Sequence, residues 1–250
     1  SGAVLDPSGL GIADLAEGRV RFVGAAKERI REDYLRTLRY FRFHARFGHG
    51  GPDPEALQAI AETLDGLATL SAERVGAEVK ALLALDDPAP SVATMEQVGV
   101  LARVLPGAST LALAPLIHLE GDVVRPDPIR RLAVLGGQDV SARLRLSRAE
   151  AKRLSVMAEG VAAPDTPGAL GYRRGVSLAR DILLLRAALA GQPLDRAALE
   201  DAESGAAAVF PVTASDLSER FEGKLLGDAL REREARWIAS GFTLTRDALL

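Results

Sequence analysis

Residues 28–43 read Glu-Arg-Ile-Arg-Glu-Asp-Tyr-Leu-Arg-Thr-Leu-Arg-Tyr-Phe-Arg-Phe. On a wheel of 100° per residue, Ile30, Tyr34, Leu38, Phe41 and Ala45 fill one arc, and Arg29, Asp33, Arg36 and Tyr40 share another. That predicts an amphipathic helix whose apolar arc packs and whose charged arc faces something. Asp33 and Arg36 stand at i and i+3, neighbours on one helical face, and together offer a carboxylate acceptor beside a rigid fork of donors. Such a pair matches the edge of a base that carries an exocyclic amine next to an acceptor, as cytosine and adenine do; uracil and guanine would present a carbonyl to the acid. Arg39 and Arg42 continue the three-residue row, which winds around the helix because three residues fall short of a turn. Arg42 should therefore point away from Asp33, toward phosphate or a neighbouring element. The plainer alternative is that seven basic residues between Lys27 and Arg46, against three acids, form a solvated helix face.

Composition points to an all-α chain. Of 250 residues 48% are apolar and only 4% aromatic, with Ala and Leu abundant, which favours many helices over sheets. There is room for a sizeable core, split over two or three subdomains. The absence of cysteine excludes disulfides and thiolate metal sites. No apolar run reaches spanning length and no signal segment is visible, so the expected location is cytoplasmic. The net charge of −3 does not advertise nucleic-acid binding, but basic charge is concentrated locally, as phosphate contacts require. The three histidines are far apart and have no metal-ligand spacing.

Upstream of the arginine ladder lie a glycine-containing Asp6-Pro7 turn running to Asp14-Leu15 and a segment Arg19-Val-Arg-Phe-Val23 that reads as a short strand. With Glu32-Asp33-Tyr34-Leu35-Arg36 and Arg39-Tyr-Phe-Arg42-Phe43, the run from Asp6 to Phe47 resembles the class II tRNA nucleotidyltransferases, that is, the CCA-adding enzymes and the related bacterial poly(A) polymerases. The resemblance implies that Asp33 and Arg36 act as a protein template for CTP or ATP, with Arg39 and Arg42 supporting the nucleotide and its phosphates. In that family a Gly-Ser turn followed by Asp-x-Asp on a palm domain holds two Mg2+ ions for attack of an RNA 3′ hydroxyl on the α-phosphate. This sequence has no such arrangement, and Asp201-Ala-Glu203 is its nearest imitation and reads as surface. The chain therefore looks like a family member's C-terminal portion without its catalytic head. Ser1-Gly2 would be a cloning remnant, and the chain alone should transfer nothing.

Further along, Gly48–Pro54 ends the first helix, and a helix from Pro54 to about Asp65 carries Leu57, Ile60 and Leu64. Ser71 caps a helix through Leu85 with Val75, Val79, Leu82 and Leu83 apolar. Its Leu70-Ser71-Ala-Glu73-Arg74 and Glu78 also resemble the family, where they complete the neck. Asp86–Pro90 reads as a linker, followed by a helix from Ser91 to Val104. Ser147 and Glu150 form a capping box opening a helix to Met157. Around it Arg143, Arg145, Arg148, Lys152 and Arg153 form either an RNA phosphate patch or a solvated face. A helix from about Arg173 to Ala190 follows. The resemblance returns in Phe210-Pro-Val-Thr213, Asp216-Leu217 and Gly223-Lys224-Leu-Leu-Gly227, where Lys224 and backbone N–H groups could meet a phosphate. Relatives carry Gly-Arg after the threonine; here stand Ala214 and Ser215. Trp237 reads as core.

The expected organisation is an all-α, multi-helix neck, body and tail with a short β remnant of the palm at the N-terminus. Residues 1–24 would end the palm, 25–90 form the neck, 91–200 the body and 201–250 the tail. The expected function is nucleotide selection and tRNA binding within an enzyme adding CMP and AMP to RNA 3′ ends, with ATP and CTP as substrates and Mg2+ in the absent palm. Nucleotide-binding residues would be Asp33, Arg36, Arg39 and Arg42, and RNA-binding residues Arg148, Lys152, Arg153 and Lys224. The alternatives are a stand-alone helical RNA-binding module or an α-helical interaction scaffold. CCA and poly(A) addition use the same template residues and are not separable by sequence, nor is the oligomeric state.

Overall fold

The computed structural model describes residues 5–6, 9–121 and 123–250, so Ser1-Gly2 and the Pro7-Ser8 part of the first turn lie outside the described residues. Regular structure in the described residues is helical throughout. The helices are α1 (Gly11–Glu17), α2 (Ala26–Glu32), α3 (Leu35–Phe47), α4 (Pro54–Ala61), a 3-10 turn (Leu64–Thr69), α5 (Ala72–Leu83), α6 (Ala89–Gln97), α7 (Val100–Val104), α8 (Leu113–Glu120), α9 (Pro128–Leu135) and α10 (Val140–Arg143). They are followed by α11 (Arg148–Ala162), α12 (Pro167–Arg174), α13 (Val176–Ala190), α14 (Arg196–Ala207), α15 (Ala214–Leu217), α16 (Gly223–Ala239) and α17 (Arg246–Leu249). Two compact units divide the chain: residues through Val156 with Ala187–Gln192, and Met157–Arg186 with Pro193–Leu250.

The expected β remnant is not there. Arg19–Val23 is irregular, and no strand is found among the described residues. A lone strand cannot satisfy its backbone groups, because the ladder that would do so needs a neighbour. The segment is held instead by its side chains. Arg21 Nε donates to Asp14 Oδ2 at 2.7 Å, and the Phe22 ring stacks on Tyr40 with centroids 5.5 Å apart.

The ladder is also not one helix. Asp33 has extended backbone (φ −156°, ψ 106°) and separates α2 from α3. Its own side chain offers the chain an alternative to the helical bond, since Oδ1 accepts from the Leu35 N–H at 3.1 Å. Tyr34 adds a tertiary cause: its ring lies so close over Gly66 that a Cβ there would collide with it. Similar local chemistry divides the expected helix from Ser91 to Val104 at Gly99, whose φ of 83° suits glycine. The helix expected to run from Pro54 to Asp65 gives way after Ala61 to the 3-10 turn.

The first unit buries Ile30, Leu38, Phe41, Ile60, Leu82, Leu83, Met95, Leu113, Leu116 and Leu132. Ser71 caps α5 as expected, with its Oγ accepting from Arg74 N at 3.4 Å. Inside the same unit lies a buried charge cluster the sequence reading did not anticipate. Glu120 Oε1 accepts from Arg130 Nε at 2.9 Å, and Oε2 accepts from Arg131 Nε at 2.9 Å and Nη2 at 2.6 Å. Arg131 also donates to the carbonyls of Leu83 (2.8 Å), Leu85 and Asp86 (3.1 Å), so it caps the C-terminus of α5, where a cation complements the helix dipole.

The second unit is held by aromatic rings and close helix contact. Trp237 is buried with Val212, Leu217, Ala229 and Leu249, and packs edge-on to Tyr172 and Phe242 at 5.5 and 4.9 Å. Helices α12 and α14 cross where Gly171 meets the Ala202 carbonyl and Gly205 the Gly168 carbonyl, contacts with no room for a Cβ. Asp201 is exposed and accepts from the Gly168 N–H at 2.8 Å, and Glu203 is also exposed, a surface role for this acidic pair.

Candidate nucleotide and RNA interface

The break at Asp33 sets the site's geometry. Asp33 and Arg36 do not occupy one helical face; they are joined across the junction by the Arg36 N–H donating to the Asp33 carbonyl at 3.0 Å. Asp33 Oδ2 accepts from Arg74 Nη2 on α5 at 2.7 Å. Burial works against the carboxylate, but the Leu35 N–H and the Arg74 guanidinium outweigh it and hold the Asp33 carboxyl below its ordinary range. Asp33 is therefore ionised at neutral pH and acts only as an acceptor.

Arg36 Nη1 donates to Glu32 Oε2 at 2.6 Å and to the Arg29 carbonyl at 2.9 Å. Arg29 grips the same carboxylate, with Nη1 at 2.6 and 3.0 Å from its two oxygens. Arg36 first, then Arg29, lowers the Glu32 carboxyl from its ordinary value. Arg39 is exposed and has no ion-pair partner among the described residues; its guanidinium lies 5.7 Å from the Phe43 ring centroid. Arg42 turns the other way, as the winding of the row requires, and meets a neighbouring helix: its Nε donates to Glu78 Oε2 of α5 at 2.7 Å. Its guanidinium covers Phe43 at 4.7 Å, so that ring meets two arginines, Arg39 and Arg42.

Arg29, Arg36 and Arg39 converge with Arg21 on a cavity of about 260 Å³ whose wall includes Phe22, Tyr40 and Phe43. Arginine forks over aromatic faces suit a planar, anionic ligand, with rings for stacking and guanidinium groups for phosphate oxygens. The sequence reading missed Arg21, Phe22 and Arg74 as parts of this arrangement. Arg74 is 41 residues from Asp33, and only its place in the family-like Leu70–Glu78 segment signalled it.

The second basic region is less concentrated. The capping box exists: Ser147 N donates to Glu150 Oε2 at 2.7 Å and Glu150 N to Ser147 Oγ at 3.3 Å. Lys80 reaches Glu150 Oε1 at 2.8 Å and, followed by Ser147, pulls the Glu150 carboxyl down to about 2. Arg148 and Lys152 are exposed and have no ion-pair partner among the described residues. Arg153 is tied to Asp127 Oδ2 at 2.7 Å, and Asp127 caps α9 through the Ile129 and Arg130 N–H groups. In the second unit Lys224 is exposed in the first turn of α16. Thr213 forms a capping box with Asp216, whose other oxygen takes Arg246 at 2.6 Å.

The Mg2+ ions that the resemblance implies do not fit these residues. Among the described residues no group of three or more His, Asp or Glu side chains is placed to hold a metal. Nor is any helix among them long and apolar enough to cross a membrane.

The fold is an all-helical one with an arginine- and aromatic-lined cavity, and comparison with known proteins shows what it is similar to. Residues 52–111 match the family described as "Probable RNA and SrmB- binding site of polymerase A". The chain is 33% identical over 258 residues to the CCA tRNA nucleotidyltransferase 1, mitochondrial, of Mus musculus, covering 96% of this chain and 59% of that protein. It is 38% identical over 117 residues to the multifunctional CCA protein of Nitrosomonas europaea, covering 46% of this chain and 27% of the relative. Its fold is similar to that of the CCA-adding enzyme of Bacillus stearothermophilus in complex with CTP, with TM-score 0.70, 24% identity, and 95% of this chain and 64% of that one covered. The chain is thus similar to CCA-adding tRNA nucleotidyltransferases over nearly all of its length, and to the polymerase A family over residues 52–111. It spans about three fifths of the length of the mitochondrial relative.

Proposed function

We propose that this chain supplies nucleotide selection and RNA grip to a nucleotidyltransferase that adds CMP and AMP to the 3′ ends of tRNA or other RNA, using CTP and ATP. The supporting observation is the convergence of Arg29, Arg36 and Arg39 on an aromatic-walled cavity, with an ionised Asp33, itself outside the cavity's lining, three residues before Arg36 in sequence. In this reading Asp33 accepts the exocyclic amine of cytosine or adenine, and Arg36 donates to the adjacent acceptor. Arg39 reaches the phosphates, and Arg42 supports them while anchored to Glu78. In the first unit Arg148 and Lys152 take RNA phosphates, with Arg153 beside them, and in the second unit Lys224 takes an RNA phosphate. Residues 25–90 serve as neck, 91–200 as body and 201–250 as tail, and the working compartment is the cytoplasm.

The test is equilibrium binding of CTP, ATP, UTP and GTP to the full chain and to Asp33→Ala. The wild type should prefer CTP and ATP, and Asp33→Ala should lose about tenfold to a hundredfold of that preference, the worth of one good base-edge pair. Unchanged ratios in a folded Asp33→Ala variant would overturn the reading.

A further inference from the structure

We infer that Arg74, which lies outside the arginine ladder, is a specificity-determining positioning residue that orients the Asp33 carboxylate for the base. This rests on the nucleotide reading proposed above. At the break between α2 and α3, Asp33 has no continuous helix to fix its side chain. Two donors on two different oxygens do so instead: the Leu35 N–H on Oδ1 at 3.1 Å and Arg74 Nη2 on Oδ2 at 2.7 Å. Each carboxylate oxygen has two lone pairs, so both keep acceptor capacity for an amine while the plane of the group is held. The pair is reachable by a ligand, with Arg74 50% and Asp33 31% exposed at the side chain.

Helix α5 is built to hold this register. Arg74 and Glu78 stand at i and i+4, on one face, and present a cation and an anion to Asp33 and Arg42 respectively. A slip that set Arg74 against Arg42 would replace attraction by repulsion, so the two pairs admit one alignment. Both ends of α5 are fixed, by the Ser71 cap and by Arg131 on the last carbonyls. Its middle is pinned where Gly76 meets the Leu144 carbonyl with no room for a Cβ. A half-exposed ion pair contributes little to stability. Its consequence here is orientation.

Equilibrium dialysis of the full chain against CTP, ATP, UTP and GTP, each alone, tests the assignment alongside thermal melts. Arg74→Ala should lower the CTP-to-UTP and ATP-to-GTP affinity ratios about two- to fivefold, the range a half-exposed pair can supply. Arg74→Lys should restore most of the ratio, and the melting temperature should stay within about 4 °C. Arg74→Gln, which keeps the polar stem, carries the same expectation if the alanine variant folds poorly. A folded Arg74 variant with wild-type ratios overturns the inference. If Asp33→Ala loses discrimination while Arg74→Ala and Arg74→Gln keep it, the inference alone fails. If the wild type shows no preference, or Asp33→Ala changes none, the nucleotide reading falls and the inference with it.

Discussion

Two arginine clusters in the first unit use the same side chain for opposite ends. Arg130 and Arg131 are 3% and 1% exposed, share Glu120, and donate also to backbone carbonyls, those of Leu83, Leu85 and Asp86 for Arg131. Arg29, Arg36 and Arg39 border an open cavity, and Arg39 lies beside the Phe43 ring with no ion-pair partner among the described residues. A buried guanidinium must have its donors met within the protein, because leaving a charge without partners in low dielectric costs several kcal/mol. An exposed one can leave donors to water and exchange them for a ligand. Saturation of the donors, more than charge, separates a structural arginine from a binding one.

The largest effect that could break this contrast is at Glu120. Glu120→Gln leaves two buried guanidinium groups facing a neutral amide and should destabilise the first unit by about 3–5 kcal/mol, as removal of one partner from a buried pair does. Chemical denaturation of the two proteins measures it. A loss below about 1 kcal/mol would place the buried cluster with the surface pairs.

Arg39→Ala should act in the reverse sense. Binding of CTP and ATP should weaken about tenfold, from loss of a charge-assisted contact, while stability changes by no more than about 0.5 kcal/mol. Isothermal titration together with a denaturation curve checks both halves. If stability falls and binding does not, Arg39 belongs with Arg131.

The helix α11 region divides along the same line within one turn. Arg148→Ala and Lys152→Ala should each lower the slope of log tRNA affinity against log salt by about one, with nucleotide ratios unchanged. Arg153→Ala should chiefly reduce stability, since Asp127 and the α9 cap depend on it. Filter binding at several salt concentrations separates these outcomes.

The smallest effect expected is a pH dependence at Glu150. Its carboxyl is held at about 2, below the unfolded value, by Lys80 and Ser147. A depressed acid contributes stability above its unfolded pKa and loses it as pH falls through the folded one. The stability difference between wild type and Glu150→Gln should therefore be about 1 kcal/mol at pH 7, shrinking between about pH 4.5 and pH 2. A difference that stays constant across this window would remove the ion pair and cap as its source.

Much of the fold was legible because local chemistry decided it. Ser71 and the Ser147–Glu150 box start helices wherever they occur, and the apolar spacing of Val75, Val79, Leu82 and Leu83 places them in a core. The arginine ladder was legible as a site candidate but not as geometry. Its periodicity continues through Asp33, whereas the Asp33 side chain and the Tyr34 ring over Gly66 stop the helix there. The strand expected at Arg19–Val23 failed for a related reason: a strand is a property of a pair, and no partner is found among the described residues.

By itself, then, the sequence determined that this chain is a set of capped, alanine- and leucine-rich helices with an acid-and-arginine ladder at one end, because helix period, capping and charge spacing act within a few residues. Which arginines became buried, which stayed open to a ligand, and which helix supplied the partner for Asp33 were decided only in the tertiary structure. Glu120 with Arg131, and Asp33 with Arg74, are pairs whose members lie 11 and 41 residues apart. Burial and the proximity of such partners arise only when separate helices pack together.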